Sequence, residues 1–546
     1  MERAIAAKGL VSVIVAVLFV VVLSMPLGIL PPLGGLANPG GGIWTVAEQA
    51  EHPKRLEVTD AGLDGTVTVY RDRHGIPHIF ATTEHDLFFA QGYVHAQDRL
   101  AQMDFMRRVA KGELAEVLGA EIGGLDVVEV DTFHRTIGLG ALAANFTANP
   151  DPADPTGPVV EAYVAGVNAY LSRQGASLLP LEFKLLDYRP RPWTAEDVMA
   201  IGLFLAWSLS GTFEDAELAL LVDALGADAV EELFPIDGPY QRPVDPHPGT
   251  RGGEGGGFAL TAGGRLAARD LLERAGRVAA FTGGAALFGS NNWAIRGNRT
   301  DTGSPRLAND PHLSLQMPAV WYENHLVAGG FDAYGVSFPG VPVIVLGQNR
   351  WIAWGATNVG ADVVDLYRET IDGDRYLSPG GWRDLTKRVE TIRVKGGEPV
   401  TVTVRSTVHG PIVTAEGEEF AMRWTGQEPS TILRTFYGFD RARNWNEFRA
   451  ATEYYGAPAQ NFVYADVDGH IGMRSPGLYP IRENFTGRLP LDGASGDFEW
   501  SGWVPLWEFG EPLYNAVPES FDPPEGFVLS ANQQVAHDGF PYYMGW

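Results

Sequence analysis

Hydrophobic and polar positions follow different periods in the two halves of this chain. In the first half, apolar residues recur at helical spacing, which predicts mainly α-helical structure. The predicted helices cover residues 84–119, 159–171 and 195–233, and an alternating, strand-like stretch with a Gly-Ile-Pro turn precedes them at 66–81. Gly119 supplies a stop signal for the first of these helices.

The pattern changes to alternation after Ser290. Apolar and polar residues alternate in "NNWAIRG", "AVWYENHLVAGG", "TIRVKGGEPVTVTVRSTVHGPIVTAEG" and "NFVYADVDGHIGMRS", and the runs end at Gly, Pro or Asp-Gly. Such runs are typical of β-strands joined by turns. Because helices come first and strands afterwards, the chain is predicted to be α+β rather than an alternating βαβ fold. The sequence contains no repeat of about 20–50 residues, which argues against a propeller or a solenoid.

Glycine and proline divide the 546 residues, too many for one ordinary core, into four segments. Residues 1–45 hold a hydrophobic leader and a Pro/Gly linker, and residues 46–246 form the helical part. Residues 247–289 are a glycine-rich spacer around one helix candidate, and residues 290–546 form the strand-rich part. High glycine density disfavours stable elements. The composition of the spacer fits either an interdomain linker or a segment excised after cleavage.

Charge and cysteine content exclude several classes of function. Lys and Arg total 41 against 67 Asp and Glu, a net charge of −26. This balance argues against a nucleic-acid partner, which requires a basic surface. A hydrophobic fraction of 45% with 20% charged residues is typical of a globular protein. Since the chain has no cysteine, a nucleophile must be an oxygen or an amine.

The first residues have the pattern of an export segment. Arg3 and Lys8 precede Leu10–Leu23, which carries no charge. This stretch matches the core of a secretion signal better than a membrane span, which takes about 20 residues. We therefore expect the body of the protein to be extracellular, periplasmic, or held at the outer face of a membrane by this segment.

One serine stands where the spacer meets the strand-rich part, in "LFGSNNWAIRG" (287–297). The chain has no Gly-x-Ser-x-Gly elbow, phosphate-binding loop or His-Glu-x-x-His motif. A serine hydroxyl needs a nearby base to act as a nucleophile. Cutting the Gly289–Ser290 bond would create that base on the same residue, an α-amine with a reference pKa of about 7.7–8.0. The junction is a candidate self-cleavage site, although Gly-Ser pairs at linker ends are also common without cleavage.

Further motifs accompany this junction. "GSNNWAIRG", "ANDPHL" (308–313), "PGVPVIVLGQNRWIAWGATNVGADVVDLY" (339–367) and "FVYADVDGHIG" follow one another after "GIPHIFATTEHDLFFAQGYVHAQDRLAQMDFMRR" (75–108). In order and spacing, the chain from about Val58 onward resembles the penicillin acylase family of N-terminal-nucleophile hydrolases. The resemblance implies an α+β fold, an αββα sandwich with a mainly helical N-terminal part. It also implies hydrolysis of linear amides, in which an acyl group is released from an amine.

The resemblance gives particular residues a role. Ser290 would cut the chain after Gly289 and then act as the mature nucleophile. His312 stands where relatives acting on cephalosporins and acyl-homoserine lactones have histidine, whose imidazole hydrogen-bonds the α-amine or the serine; a surface turn histidine is the alternative. The oxyanion hole would pair the backbone N–H of Val359, or of its neighbour Asn358 if the loop register shifts by one, with the Asn532 side chain. Asn532 could instead be a turn or cap residue.

A structural calcium ion is also implied by the resemblance. Its ligands would be Glu214 from the helical part, together with Asp362, the carbonyl oxygen of Val364, and Asp365. Oxygen ligands of this kind suit a hard cation. A solvated acidic turn is the alternative for the aspartate pair.

The implied partner is a small acyl amide. Apolar residues around Trp207 and Phe213, with residues just after His312, would bind its acyl group, but this lining varies too much within the family to name the substrate. The two pieces made by self-cleavage would stay associated. Membrane contact would be limited to the N-terminal segment.

Chains of this family normally continue well beyond the residue equivalent to Trp546. We therefore expect a truncated product or a second polypeptide that completes the fold, and weak or no activity for this chain alone. A second hypothesis is an unprocessed, catalytically inactive surface or binding protein. A third is a conventional serine hydrolase, which needs a His/Asp pair beside Ser290 in an uncut chain.

Overall fold

The computed structural model describes residues 2–25, 32–38, 42–49, 62–175, 178–235, 243, 260–282, 289–429, 431–504, 517–536 and 543–545. The predicted spacer is thus described only at residues 260–282 and at Gly289. The remainder of the spacer, with Leu287 and Phe288 of the junction, lies outside the described residues, as does part of the linker at 31–42.

The predicted helical regions are confirmed. The helices of the described residues are α1 (Glu2–Ser24), α2 (Leu33–Leu36), α3 (Ile43–Gln49), α4 (Glu84–Lys111), α5 (Ala115–Leu118), α6 (Val127–Ile137), α7 (Leu139–Ala148), α8 (Gly157–Arg173), α9 (Leu181–Leu185), α10 (Ala195–Ser210), α11 (Glu214–Leu225), α12 (Ala227–Leu233), α13 (Ala262–Thr282), α14 (Ile432–Arg441) and α15 (Trp445–Ala451). The helix predicted at 84–119 is two helices, because Gly112 takes a left-handed conformation (φ 61°) and ends α4. Among the described residues, no helix combines the length and apolarity required to cross a membrane.

The strands lie mainly in the second half, as predicted. They are β1 (Thr68–Arg71), β2 (Pro77–Ala81), β3 (Glu121–Ile122), β4 (Leu125–Asp126), β5 (Ser290–Ile295), β6 (Arg306–Pro311), β7 (Tyr322–Ala328), β8 (Phe331–Ser337), β9 (Leu346–Asn349), β10 (Ile352–Asn358), β11 (Val364–Arg368), β12 (Ile371–Asp372), β13 (Arg375–Ser378), β14 (Gly381–Asp384), β15 (Thr386–Ile392), β16 (Val400–Thr407), β17 (Gly410–Pro411), β18 (Phe420–Trp424), β19 (Gln460–Asp466), β20 (Ile471–Arg474), β21 (Pro480–Arg482), β22 (Leu491–Asp492), β23 (Trp500–Trp503), β24 (Glu519–Phe521) and β25 (Phe527–Ser530).

A nine-stranded sheet of order β1-β2-β7-β8-β9-β10-β19-β20-β24 forms the central layer. Its β2 pairs in parallel with β7, so a hairpin from the helical part is built into the sheet of the strand-rich part. Strand β19 is buried along its whole length. Phe462 and Tyr464 pack with helices α14 and α15 on one face, and Val463 and Ala465 join a separate core on the other. A strand buried on both faces requires a covering layer on each side.

The covering layer opposite the helices is a smaller sheet of order β25-β5-β6. Ala294 of β5 and Val528 of β25 share a core with Val463. The two sheets approach closely at Gly355 of β10, where a Cβ atom would lie 2.7 Å from the Asn309 side chain of β6. Helices, large sheet and small sheet therefore stack in that order, which confirms the α+β class and accounts for three layers of the αββα sandwich.

Candidate active site

The fold places Ser290 as the first residue of β5, the central strand of the smaller sheet. The residue is 6% exposed. Its amide N–H donates to Asn532 Oδ1 at 2.8 Å, and its Oγ accepts from the backbone N–H of Asn358 at 3.3 Å. Ser290 is thus held through both its backbone and its side chain.

The peptide bond before Ser290 is equally constrained. Gly289 has φ 74°, and its carbonyl oxygen accepts from the backbone N–H of His312 at 3.2 Å. A Cβ atom at Gly289 would lie 2.7 Å from Asn532 Oδ1. The left-handed φ and the close approach both favour glycine at this position.

Asn532 reaches the junction from the loop that follows β25. It has φ 64°, a conformation that asparagine tolerates better than most residues. Its amide group lies against both Gly289 and the Ser290 nitrogen. The residue expected to supply a side-chain donor therefore does lie beside the serine.

The two candidate backbone donors differ in their partners. The Val359 N–H donates to the Ala459 carbonyl at 3.2 Å, whereas the Asn358 N–H faces Ser290 Oγ. The Asn358 side chain is held by Leu209 O at 2.7 Å and by Gln460 Nε2 at 3.2 Å. The geometry favours Asn358, the register-shifted alternative, because the Val359 N–H is directed at the Ala459 carbonyl.

His312 lies beside the junction and contacts it through its backbone. Its imidazole Nε2 lies 3.1 Å from Asp310 Oδ2, and its side chain is 38% exposed. Its backbone N–H donates to the Gly289 carbonyl oxygen. The antiparallel pairing of β5 with β6, which sets Ser290 opposite Pro311, brings that N–H to the bond before the serine.

A buried polar network, absent from the sequence-based predictions, lies behind the serine. Asn461 Nδ2 donates to Thr357 Oγ1 at 3.2 Å and to Ser530 Oγ at 3.3 Å, while the Thr357 hydroxyl donates to Ser530 at 2.9 Å. These three side chains are about 1% exposed. They connect β10, β19 and β25, and so hold the Asn358 N–H in place next to β5. No sequence motif marks them, because they meet only across strands.

A cavity of about 1500 Å³ opens beside the serine. Ser290, His312, Asn358 and Asn532 lie along it. The rest of its lining is largely apolar and includes, from the helical part, Phe133, Phe146, Met199, Leu203, Trp207 and Phe213. Both aromatic residues expected to surround an acyl group, Trp207 and Phe213, are therefore on its wall.

The predicted metal ligands meet a residue that the sequence analysis missed. Carboxylate oxygens of Asp362, Asp365 and Asp215 lie within 4.8 Å of one another. Burial, together with the charges of Asp362 and Asp365, raises the pKa of Asp215 well above its usual range. Burial has the largest effect on Asp362 and raises the pKa of its carboxyl group to about 7. The charges of Asp365 and Glu214 also raise this pKa, whereas Arg482 lowers it. Asp215 was missed because its carboxylate reaches β11 only in the tertiary structure.

One cation already contacts this carboxylate cluster. The buried Arg482 donates to Asp365 Oδ1 and Oδ2 at 2.9 Å and to Asp362 Oδ1 at 3.1 Å. Glu214 is exposed next to the cluster, and Val364 begins β11 between the two aspartates. Asp215 and Asp365 are buried and Asp362 is partly buried, and one guanidinium cannot balance all three carboxylates when they are ionised. An all-oxygen set of this charge fits a hard divalent cation such as Ca²⁺.

Residues 66–546 match the Penicillin amidase family. Because this match covers well over half of the chain, the protein belongs to that family of hydrolases. Its sequence is 33% identical to the acyl-homoserine lactone acylase QuiP of Pseudomonas aeruginosa over 499 residues, 88% of this chain and 56% of that protein. It is 34% identical to the penicillin acylase 2 proenzyme of Pseudomonas sp. strain SE83 over 498 residues, 88% and 60% of the two chains.

Two further similarities involve penicillin G acylases. The Escherichia coli enzyme is 30% identical over 534 residues, covering 86% of this chain and 60% of that protein. A solved structure of a thermostable penicillin G acylase from Alcaligenes faecalis matches with a TM-score of 0.42 and 30% identity, over 47% of this chain and 46% of that chain. The chain thus spans 56–60% of the length of these curated relatives.

Proposed function

We propose that this protein is an acylase that hydrolyses linear acyl amides and makes its own nucleophile by cutting the Gly289–Ser290 bond. The observation that carries the proposal is the junction itself. The Gly289 carbonyl, the Ser290 amide and the Ser290 hydroxyl each have a fixed hydrogen-bond partner at the wall of an apolar cavity. A linker end with no chemical role does not require this arrangement.

Self-cleavage begins when Ser290 Oγ attacks the Gly289 carbonyl carbon. The His312 backbone N–H, 3.2 Å from the Gly289 oxygen, stabilises the negative charge that develops there. The C–N bond then breaks, the Ser290 nitrogen takes up the hydroxyl proton, and an ester joins Gly289 to Oγ. Water hydrolyses this ester, which releases the Gly289 carboxylate and a Ser290 that carries a free hydroxyl and a free α-amine.

In the mature protein the α-amine acts as the base. It accepts the proton of Ser290 Oγ as that oxygen attacks the substrate amide carbonyl. Asn532 Oδ1 orients the amine, while the Asn532 Nδ2 group and the Asn358 N–H donate to the oxyanion. The amine passes the proton to the leaving nitrogen, and water then hydrolyses the acyl-Ser290 ester to give a carboxylic acid.

Gly289→Ala is expected to slow self-cleavage by at least about tenfold, since about 1.4 kcal/mol of added barrier has that effect. The new Cβ would collide with Asn532, which must move away from the Ser290 nitrogen. The rate is measured by following fragment formation in refolded or freshly expressed protein by gel and mass spectrometry. Gly303→Ala is the matched control, because Gly303 also has φ 74° but its Cβ would meet no atom within 4 Å. Equal slowing in both variants would indicate a general loss of stability rather than contact with Asn532.

A bound calcium ion is the second part of the proposal. Asp215, Asp362 and Asp365 would hold it, with Glu214 and the Val364 carbonyl at the edge of the same cluster. The ion would neutralise buried carboxylates and tie α11 of the helical part to β11 of the strand-rich part. Its role would be structural, since none of these groups takes part in the mechanism above.

Calcium is expected to raise the melting temperature of the protein, and EGTA to lower it. A ligand at about 100 times its dissociation constant stabilises the folded state by about 2.7 kcal/mol. Asp215→Asn should abolish most of this response in a thermal-shift titration. Asp372→Asn is the control, because Asp372 is 71% exposed at the end of β12, lies outside both carboxylate groups that could hold a cation, and should leave the response intact. No calcium response in the unaltered protein would rule out the ion.

The function is tested first by the mass of the purified chain. Cleavage produces a fragment that begins SNNWAIRG, whereas an intact 59.1 kDa chain would favour the hypothesis of an inactive binding protein. A panel of acyl amides, including β-lactams and acyl-homoserine lactones, then identifies the substrate. Trapping of an acyl group on Ser290 by mass spectrometry reports the chemical step even where turnover is slow.

A further inference from the structure

Helix α13 lies in the segment whose composition fits either a linker or an excised spacer. Ala267, Ala268 and Leu271 on one of its faces are fully buried in the core shared with α6, α10 and α11. Phe281 near its end contacts Phe105 of α4, with ring centroids 6.2 Å apart. A segment that buries this much apolar surface is part of the hydrophobic core.

The backbone of the same region is in contact with the strand-rich part. A Cβ atom on Gly417, just before β18, would lie 2.3 Å from the Gly263 carbonyl oxygen and 2.8 Å from the Ala267 nitrogen. On the other side, Arg277 pairs with Glu129 of α6. The helix is therefore fixed to chain segments on both sides of the Gly289–Ser290 bond.

A second face of α13 lines the cavity that leads to Ser290. Leu272, Ala275, Gly276 and Ala279 are among its lining residues. A Cβ atom at Gly276 would meet no atom within 4 Å. Glycine disfavours a helix interior, so an open glycine at this position leaves volume in the cavity at the expense of helix propensity.

We propose that α13 remains in the folded protein after the Gly289–Ser290 bond is cut and forms one wall of the acyl-binding cavity. Gly276 leaves room there for a long, unbranched apolar acyl chain. This inference rests on the proposed acylase function. The burial of Ala268 and Leu271 argues for retention, because loss of the helix would expose the core around Phe133 and Trp207.

The first experiment determines the ends of the fragments in the cleaved, purified full-length protein. We expect an N-terminal fragment that extends at least to Thr282, the end of α13, and co-elutes with the Ser290 fragment in size-exclusion chromatography. A cleaved protein whose N-terminal fragment ends before Ala262 would overturn retention but leave the acylase function standing. A chain that stays uncut would overturn both.

The second experiment measures acylation of Ser290 by p-nitrophenyl butanoate and dodecanoate, as the burst of nitrophenol. Gly276→Leu should lower the rate with dodecanoate at least about tenfold, the effect of crowding an apolar pocket, and change the butanoate rate less than about twofold. Gly276→Ala should cause a smaller loss in the same direction if the leucine variant does not fold. Arg269→Leu, at an exposed position of α13 outside the cavity lining, should change neither rate. Equal losses of the acylation rate with both esters would contradict the proposal that α13 forms a wall of the acyl-binding cavity.

Discussion

Replacing Ser290 with alanine is expected to leave a single 59.1 kDa chain with no acylase activity. The substitution removes the hydroxyl that attacks the Gly289 carbonyl, so the α-amine that serves as base is never formed. Loss of a serine nucleophile that acts together with its base lowers kcat by roughly 10⁶-fold. The fold should persist, because Ser290 is the first residue of β5 and alanine is no larger than serine. The core formed by Ala294 and Val528 does not include this side chain. Intact mass and thermal unfolding measure the two effects.

Two variants make this prediction sharper. Ser290→Cys keeps a nucleophile at the same position and should still yield the cleaved fragment at a reduced rate. Ser304→Ala, at an exposed turn, should be cleaved like the unaltered protein. Cleavage of the Ser290→Ala chain at the same bond would show that another group, or a contaminating protease, cuts the junction.

Asn532→Asp is expected to lower the rate of Ser290 acylation by about 10²–10³-fold, the typical effect of losing one oxyanion donor. Aspartate keeps an acceptor for the α-amine and tolerates the left-handed backbone, but it has no N–H group for the oxyanion. Self-cleavage should be affected much less, because the His312 backbone N–H is the donor at the Gly289 oxygen. Single-turnover acylation and fragment formation measure the two steps separately.

Asn484→Asp is the matched control for this change. Asn484 has the same φ of 64°, is exposed, and lies outside the cavity lining. It should retain normal acylation and cleavage. Equal losses of acylation and cleavage in Asn532→Asp would instead mean that Asn532 orders the whole junction. The assignment of acylation to the Asn532 side chain and of self-cleavage to the His312 backbone N–H would then be wrong.

The secondary structure and the junction were predictable because both depend on local sequence. Helical spacing identified α4, α8 and α10, and alternation identified β5 onward. Boundaries were less predictable: Gly112 ends α4 seven residues before the stop expected at Gly119, through a backbone conformation that periodicity does not report. The glycine-rich spacer contains the 21-residue helix α13, because the glycines lie around the helical stretch rather than throughout it.

The sequence by itself determined the α+β class, the absence of a cysteine nucleophile, and the candidate bond between Gly289 and Ser290. Only the tertiary structure decided which groups face that bond. It favours Asn358 over Val359 as the backbone donor, because the Val359 N–H is taken by Ala459, and it brings Asp215 to Asp362 and Asp365 from a distant helix. The physical reason is common to both cases. Periodicity records which face of an element is buried, whereas hydrogen bonds and carboxylate clusters depend on the register and approach of elements that are far apart in the chain.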